Sequence, residues 1–483
     1  MSAEILNATE FELENGLNKL EHGANQFFLV IMGCVIFLMQ AGFAFLEAGS
    51  VRSKNTTNII IKNMVDACIC CLCYYAVGWA FAFGEPSNAF IGYGEFFLVA
   101  IDPKKYVLVF FHYAFMANAA TLVSGALAER TRFPAYIIYA LVMAAVSYPI
   151  LSRWCWAHNG WLRAGFGQEG ITYVDFAGSG VVHLHGGTCA FVGALIVGPR
   201  IGFKSSVQQR AIDMKGHSVP FAALGGFILM FGFFAFNAGS QQSITGANDG
   251  YIISLATVNT MMSAAGAGLS NLIGEKIVNK KWSLITTINA ILAGMVAACA
   301  GCNVMYPWAA VVTGIGAGIT CMTVARALKM LGVDDPLDAV AVHSGGGFWG
   351  LLITPVLMKN GIIYRQDLHS LAQLGWQMLG ACVIIIWSVL VIGTTFLLLR
   401  IFKLLRVDKE VELKGLDIYV HGEPAYPLAA YGHGWDDAYD MRDIGQATKP
   451  AYDYPDEPPN PSGSRRRVAP QSAGLGMQFH SVH

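Results

Sequence analysis

The chain has 483 residues, of which 54% are hydrophobic and only 13% are charged, with a formal net charge of −1. Soluble domains carry about 25% charged residues, so the composition excludes an ordinary soluble protein. The near-zero charge also gives no support for nucleic-acid binding. The apolar content instead predicts a polytopic membrane protein embedded in a lipid bilayer.

Eleven apolar stretches are long enough to cross a hydrocarbon core of about 30 Å. Stretches eight and nine are separated only by a short turn at residues 301–305. In chain order the predicted spans are 27–49, 63–83, 106–128, 133–152, 176–198, 219–238, 250–273, 284–301, 306–328, 339–358 and 375–401. The fold class is therefore an all-α integral membrane protein with about eleven transmembrane helices.

The basic residues of the connecting loops predict the orientation. One alternating set of loops contains thirteen Lys and Arg residues, and the other set contains six. By the positive-inside rule the first set is cytoplasmic, which puts the N-terminus outside and the C-terminus inside. The segment 7–9 (NAT) then forms an external glycosylation sequon, so Asn7 is a candidate glycan site on a plasma-membrane glycoprotein.

Four regions follow from this organisation. Residues 1–26 are predicted to form an extracellular N-terminal segment, and residues 27–402 a transmembrane domain. Residues 403–431 are charged with some apolar positions and are expected to dock on the cytoplasmic face. Residues 432–483 are rich in Asp, Pro, Ser and Gly, a composition typical of a disordered cytoplasmic tail.

Two histidines lie inside apolar stretches, where a charged group costs about 2.5 kcal/mol or more and is rare without a function. His183 follows Asp175 and His343 follows Asp338, and glycine clusters come after both histidines. Each aspartate is expected at a helix N-terminus, where the macrodipole favours its carboxylate. Five spans separate the two histidines, so their helices run in opposite directions. This predicts a 5+5 inverted repeat plus one extra helix, with the two imidazoles meeting near the midplane.

Other polar residues within the spans have simpler interpretations. His112 and His185 are expected to be structural hydrogen-bonding residues between helices. No lysine or arginine is expected in the core of the bundle. The histidine helices offer no further Cys, Asp or Glu ligands at the same depth, so no metal and no cofactor are predicted.

Four local sequences resemble the Amt branch of the Amt/Mep/Rh superfamily of ammonium transporters. They are residues 125–130 (GALAER), 175–183 (DFAGSGVVH), 236–240 (FNAGS) and 338–343 (DAVAVH), and the match runs in the same order through residues 27–426. The contexts at 47–49 and 415–423 are similar to the eukaryotic subgroup. The resemblance implies homotrimers in which each subunit has its own pore.

The resemblance also implies roles for single residues. Phe115, Trp156 and Ser240 would form an outer site that recruits ammonium, and Phe115 and Phe236 would stack as a gate. His183 and His343 would line the pore as a twin-histidine proton relay, with Asp175 in a structural and electrostatic role. Phe233 stands where many bacterial relatives carry tryptophan, and Tyr419 stands where plant relatives often carry a regulatory threonine.

The expected function is therefore ammonium transport, with methylammonium as a second substrate, rather than enzymatic catalysis. Ammonium would lose its proton at the gate, and neutral ammonia would cross the apolar channel. Both electrogenic and electroneutral transport are compatible with the sequence. Two alternatives remain: an ammonium sensor or transceptor that signals through the C-terminal tail, and a membrane enzyme, which the missing ligands disfavour.

Overall fold

The structure is a computed structural model that describes residues 2–165, 170–203 and 214–431. Within these ranges the chain is helical, and the only β-structure is three isolated bridges. The predicted disordered tail at 432–483 lies outside the described residues.

Eleven apolar helices form the bundle. Ten of them are long and apolar enough to cross a membrane, and α8 is a shorter apolar helix of 15 residues. Their bounds are α1, Ser2–Phe37 continuing as Met39–Ser50; α2, Ser53–Phe83; α3, Pro103–Leu127; α4, Phe133–Ala164; α5, Ser179–Val197; α6, Val219–Gly239; α7, Asp249–Asn279; α8, Leu284–Ala298; α9, Pro307–Leu331; α10, Val340–Leu357; and α11, Leu368–Ile401. The predicted eleven-helix membrane architecture is confirmed.

The helix ends follow from local sequence. The Ser218 side chain caps α6 by accepting from the backbone N–H of Phe221, and a proline stands in the first turn. Asp367 and Ser370 form a reciprocal capping box at the start of α11. Helix α9 stops at Gly332, whose φ of 82° is costly for a residue with a Cβ.

The two faces of the bundle are named here after the chain segments that they carry. The N face carries the beginning of α1 and the loops that follow α2, α4 and α6. The C face carries the loops that follow α1, α3, α5 and α9. Residues 403–431 also lie on the C face, with a short helix α12 at Lys409–Lys414. There the backbone N–H of Asn58 donates to Asp417 Oδ1 over 2.9 Å, and that of Ile201 donates to Glu412 Oε1 over 2.7 Å.

The halves α1–α5 and α6–α10 meet through glycines. A Cβ on Gly49 of α1 would collide with the backbone of Ala222 in α6. A Cβ on Gly187 of α5 would collide with the backbone of Ser344 in α10, and one on Gly347 would lie 2.5 Å from the carbonyl oxygen of Ser179. Small residues at these positions let helix backbones pack closely, as in other membrane bundles.

The first helix begins earlier than the hydropathy indicated. Residues 1–26 were expected to be a separate polar segment, yet one continuous helix runs from Ser2 to Phe37. This stretch has no proline and is rich in Glu, Leu and Ala, which favour a helix whether or not lipid surrounds it. Hydropathy marks where a helix can enter a bilayer, and it does not mark where the helix begins.

Candidate ammonium pathway

A cavity of about 760 Å³ opens at the N face and is called the vestibule below. It lies between α2, α3, α4, the end of α6 and the loop that precedes α5. Its lining combines aromatic rings with many polar and charged side chains and includes Phe111, His112, Phe115, Trp156, Asp175 and Ser240. The three predicted outer-site residues, Phe115, Trp156 and Ser240, therefore share one cavity.

The floor of the vestibule is a pair of stacked rings. Phe115 of α3 and Phe236 of α6 lie with ring centroids 4.0 Å apart and planes inclined by 29°. Trp156 meets Phe115 edge-on at 5.9 Å, and its Nε1–H donates to the carbonyl of Asp175 over 2.8 Å. The Ser240 hydroxyl donates to the carbonyl of Phe236, one helical turn earlier. Aromatic faces beside hydroxyl and carbonyl oxygens form an environment that attracts small cations.

The two histidines lie together beneath this floor. The imidazoles of His183 and His343 are stacked, with centroids 5.2 Å apart and planes inclined by 16°. Phe233 and Phe236 each lie 5.5 Å from the ring of His183. Within the described residues, neither ring nitrogen of His183 has a hydrogen-bond partner, nor does Nδ1 of His343. The pair therefore presents unpaired nitrogens inside an apolar environment.

The local backbone explains why the histidines meet. Both lie in widened, π-helical first turns, at Ser179–Leu184 in α5 and at Val340–Gly345 in α10. Asp175 Oδ2 accepts from the N–H groups of Gly180 and Val181 over 3.0 and 2.9 Å. Asp335 Oδ2 accepts from the N–H of Val340 over 2.7 Å in the second half. Each capping aspartate precedes its histidine by eight residues, so the inverted repeat includes the residues that cap the two helices.

The sequence predicted Asp338 as the counterpart of Asp175 in the second half, whereas the structure shows that Asp335 is that counterpart. Asp338 instead matches Gly178, three residues after the cap in each half, and both adopt left-handed backbone with φ of 56° and 99°. The Asp338 carboxylate lies 3.6 Å from Lys329 Nζ. The eight-residue spacing was the signal that could have identified Asp335.

The other predicted positions are distributed as follows. His185 bridges three helices, with Nδ1 at 2.7 Å from Ser388 Oγ and Nε2 at 3.3 Å from Ser147 Oγ, as expected for a structural histidine. His112 differs, because it lines the vestibule and its Nδ1 has no partner within the described ranges. Asn7 lies in α1, and its glycosylation stays a prediction.

One buried charged cluster was missed. The expectation of a core without lysine or arginine is wrong, because Lys62 of α2 is fully buried with Nζ 3.0 Å from Glu47 Oε2. Its Nζ also lies 3.8 Å from Asp66 Oδ2. The predicted second span began at residue 63, which left Lys62 outside it, whereas α2 begins ten residues earlier. A lysine four residues before an aspartate at the edge of an apolar stretch was the available signal.

Among the described residues, no group of three or more His, Cys, Asp or Glu side chains is placed to hold a metal ion. The histidine pair is surrounded by phenylalanine rings rather than by further ligands.

Known proteins were compared with this chain. The model of the Ammonium Transporter Family matches residues 27–426. The "Putative ammonium transporter 1" of Caenorhabditis elegans is 49% identical over 88% of this chain and 84% of that protein. "Ammonium transporter 1 member 3" of Solanum lycopersicum is 36% identical over 83% of this chain and 93% of its own length.

Solved structures share the architecture. A protein described as "Sensor Amt Protein" superposes with a TM-score of 0.76 at 35% identity, covering 84% of this chain and all of that chain. Mep2 of Saccharomyces cerevisiae superposes with a TM-score of 0.71 at 25% identity, covering 80% and 88% of the two chains. With the family match extending from the first span to the docked C-terminal segment, this chain belongs to the ammonium transporter family.

Proposed function

We propose that this chain recruits ammonium in the vestibule, removes its proton near the stacked phenylalanines, and conducts neutral ammonia past His183 and His343. The observation that carries the proposal is the stacked imidazole pair directly beneath a stacked phenylalanine gate. The cavity on one side attracts cations and suits ammonium, and the apolar histidine channel on the other side suits neutral ammonia.

The cost of stripping water from an ion explains why the substrate must change from ammonium to ammonia. A bare ammonium ion in an apolar medium is prohibitively costly, whereas ammonia is neutral and small. In the vestibule, the rings of Phe115 and Trp156 and the oxygen atoms near Ser240 replace part of the ion's water shell. Below Phe236 the aromatic walls give an ion no comparable replacement, so the proton leaves the nitrogen before ammonia passes.

The histidines give that proton a route of its own. A neutral imidazole accepts a proton on one nitrogen and releases another from the opposite nitrogen, and its ordinary pKa lies near physiological pH. Two stacked imidazoles with unpaired nitrogens form a two-member chain along which a proton can pass. Transport is electrogenic when the proton follows ammonia and electroneutral when the proton returns to the vestibule.

The same proposal covers the cellular setting. We place the vestibule outside the cell and the C face in the cytoplasm of a plasma-membrane protein, because the more basic loops lie on the C face. We also expect a homotrimer with one pore per subunit. Helices α6 and α7 expose many large apolar side chains, and such surfaces suit contact with either lipid or a neighbouring subunit.

The decisive experiment replaces both imidazoles. In cells expressing the chain, His183→Ala combined with His343→Ala should abolish the ammonium-evoked current while the protein still assembles. A matched control is His22→Ala, which changes an exposed histidine in the N-terminal part of α1. Comparison of ammonium, methylammonium and potassium across pH also distinguishes electrogenic from electroneutral transport. An undiminished current in the double variant would refute the relay.

A second candidate is an ammonium sensor. The likeness to the protein described as "Sensor Amt Protein" favours it, and the docked segment 403–431 gives a signal a place to act. A sensor would bind ammonium in the vestibule with little flux. Ammonium binding to purified protein without uptake or current would therefore support the sensor and exclude the transporter.

A further inference from the structure

Glu47, Lys62 and Asp66 form a charged triad buried inside the helix bundle. Their side chains are at most 3% exposed. Lys62 Nζ lies 3.0 Å from Glu47 Oε2 and 3.8 Å from Asp66 Oδ2, and its ammonium also faces the ring of Tyr136 at 5.6 Å. The assigned pathway uses none of these residues, and charged side chains in a membrane bundle are rare without a function.

The charges of the triad do not balance. Two carboxylates and one ammonium leave a formal charge of −1 inside the bundle. An uncompensated buried charge is strongly unfavourable, and the uptake of one proton by a carboxylate of the triad neutralises it. Asp66 has the poorer contacts, because its Oδ1 has no partner within the described residues and Tyr139 reaches its Oδ2 only at 3.5 Å.

The hydrogen bonds of Ser124 indicate where a proton can reside. The Ser124 Oγ lies 2.5 Å from Glu47 Oε1 and 2.6 Å from the carbonyl oxygen of Thr121. A hydroxyl has one hydrogen to donate. An ionised Glu47 shares this hydrogen with the carbonyl of Thr121, and a proton taken up on Oε1 can be donated to Ser124 Oγ while Ser124 donates to Thr121. Ser124 can therefore act as a donor to Glu47 before proton uptake and as an acceptor after it.

The triad also adjoins the histidine channel. Glu47 and His343 line one cavity of about 20 Å³ on the C-face side of the histidine pair. A volume of roughly 10–15 Å³ accommodates one water molecule, so this cavity has room for a single water between carboxyl and imidazole. Lys62, Asn63 and Ser124 occupy three of about four acceptor sites on the Glu47 carboxylate, which leaves one for such a water.

We propose that Glu47 is the proton acceptor that follows His343 on the way to the C face. The inference rests on the proposed function and adds a residue to it. A proton leaves a ring nitrogen of the His343 imidazolium and reaches the Glu47 carboxylate through the cavity. This gives a neutral imidazole and a neutral carboxylic acid, which later releases the proton toward the C face. Lys62 is a positioning residue that keeps the carboxylate in place.

The groups that face Glu47 fix how the site responds to pH. They come from five helices and are either ionisable side chains or polar partners of the triad. They are Lys62, Asn63 and Asp66 of α2, Ser124 of α3, Tyr136 and Tyr139 of α4, Asn289 of α8 and His343 of α10. Removing the Glu47 carboxyl should therefore change the dependence of the current on cytoplasmic pH.

The test compares charge movement with ammonia movement. Glu47→Gln keeps the shape of the side chain and cannot take up the proton. We expect the ammonium-evoked current to fall by about tenfold or more, a size typical of losing a positioned proton acceptor. Ammonia flux into proteoliposomes, followed by internal alkalinisation, should remain. Glu12→Gln changes an exposed glutamate of α1 and is the matched control.

A second variant keeps the test valid if the first variant does not fold. If Glu47→Gln alone does not assemble, the combination Glu47→Gln, Lys62→Met and Asp66→Asn leaves no charge to bury. Assembly is checked by size-exclusion chromatography of the detergent-solubilised protein. A wild-type current with unchanged pH dependence in either assembled variant would overturn the assignment of Glu47.

The outcome is separable from that of the proposed function. If the unmodified chain gives neither current nor uptake, ammonium transport itself fails. If the histidine double variant loses its current while Glu47→Gln keeps it, the histidine relay stands and the role of Glu47 alone is refuted.

Discussion

Trp156 connects the vestibule wall to the gate. Its ring lies edge-on to Phe115, and its Nε1–H holds the carbonyl of Asp175, the residue that caps α5. In the proposed mechanism, one side chain thus provides an aromatic surface for a cation and also fixes the loop above the histidines. Its loss should therefore affect recruitment more than passage through the channel.

Trp156→Leu should weaken recruitment of ammonium. A partly desolvated cation–π contact is worth about 1–2 kcal/mol, which corresponds to roughly 5–30-fold in apparent affinity. The concentration dependence of uptake and the discrimination against potassium measure the change. Trp282→Leu is a suitable control, because Trp282 is exposed beside Lys276 near the C-face end of α7. Unchanged affinity and unchanged discrimination would remove Trp156 from the site.

At this scale the motifs predicted which side chains converge, and the structure adds how they are supported. Phe115, Phe236, His183 and His343 were identifiable because each lies in a recognisable local pattern. Asp335 was missed because Asp338 directly precedes the predicted span and looks like its N-terminal residue, whereas the capping bond is made by Asp335. That contact depends on the left-handed turn at Asp338, which no propensity for aspartate specifies.

The crossing of α5 and α10 depends on two glycines rather than on side-chain bonds. Gly187 and Gly347 each come four residues after a histidine, and each faces backbone of the opposite helix. The stacked imidazoles stay 5.2 Å apart only while the two helices remain this close. Helix contact and channel geometry are therefore coupled.

Gly187→Ala should force α5 and α10 apart. Inserting a methyl group into such a contact typically costs about 1–3 kcal/mol, because the backbone must move. We expect a lower melting temperature of the detergent-solubilised protein and a reduced ammonium-evoked current. Gly375→Ala is the control, since nothing lies within 4 Å of a Cβ at that position of α11. Equal melting temperatures for the two variants would contradict the close-packing argument.

Helix positions were predictable from hydropathy, but helix starts were less so. The predicted second span began at residue 63, and α2 begins at Ser53. Residues such as Lys62 look like loop residues because they are charged. Lys62 lies inside the bundle because it pairs with Asp66, one turn further along α2, and with Glu47 of α1. A single sequence does not reveal pairs formed across helices.

Over the whole molecule, the C face is held by a network of buried ion pairs. Arg200 joins Glu129, at the end of α3, to Asp334, in the loop before α10, with contacts of 3.1 and 2.8 Å. Arg52 adds a further contact to Glu129 over 2.6 Å. Burial raises the pKa of Glu129, but Arg200 and Arg52 outweigh it and the pKa lies below its ordinary value. The pKa of Asp334 is likewise lowered, where burial is outweighed by Arg200.

These lowered pKa values predict how stability depends on pH. The contribution of the network is fully present above the ordinary carboxyl pKa values of 4.5 and 3.8, and it is lost as pH falls through the lower values of the folded protein. Breaking a buried pair costs about 3–5 kcal/mol. Asp334→Asn should therefore be much less stable than the unmodified protein at pH 7. The difference in melting temperature should shrink below pH 4, and a constant difference would refute the argument.

The matched halves have an electrical consequence. His183 lies fourteen residues before the C-face end of α5, and His343 lies fourteen residues before the N-face end of α10, which is about 21 Å of helix in each case. A proton resting on the pair has thus crossed about half of the transmembrane field. At about 2.3 kcal/mol per elementary charge per 100 mV, each half of its passage responds to voltage by roughly 1.2 kcal/mol per 100 mV. Any rectification of the current must then arise from the unlike surroundings of the pair on its two sides, a vestibule of about 760 Å³ toward the N face and an internal cavity of about 20 Å³ toward the C face.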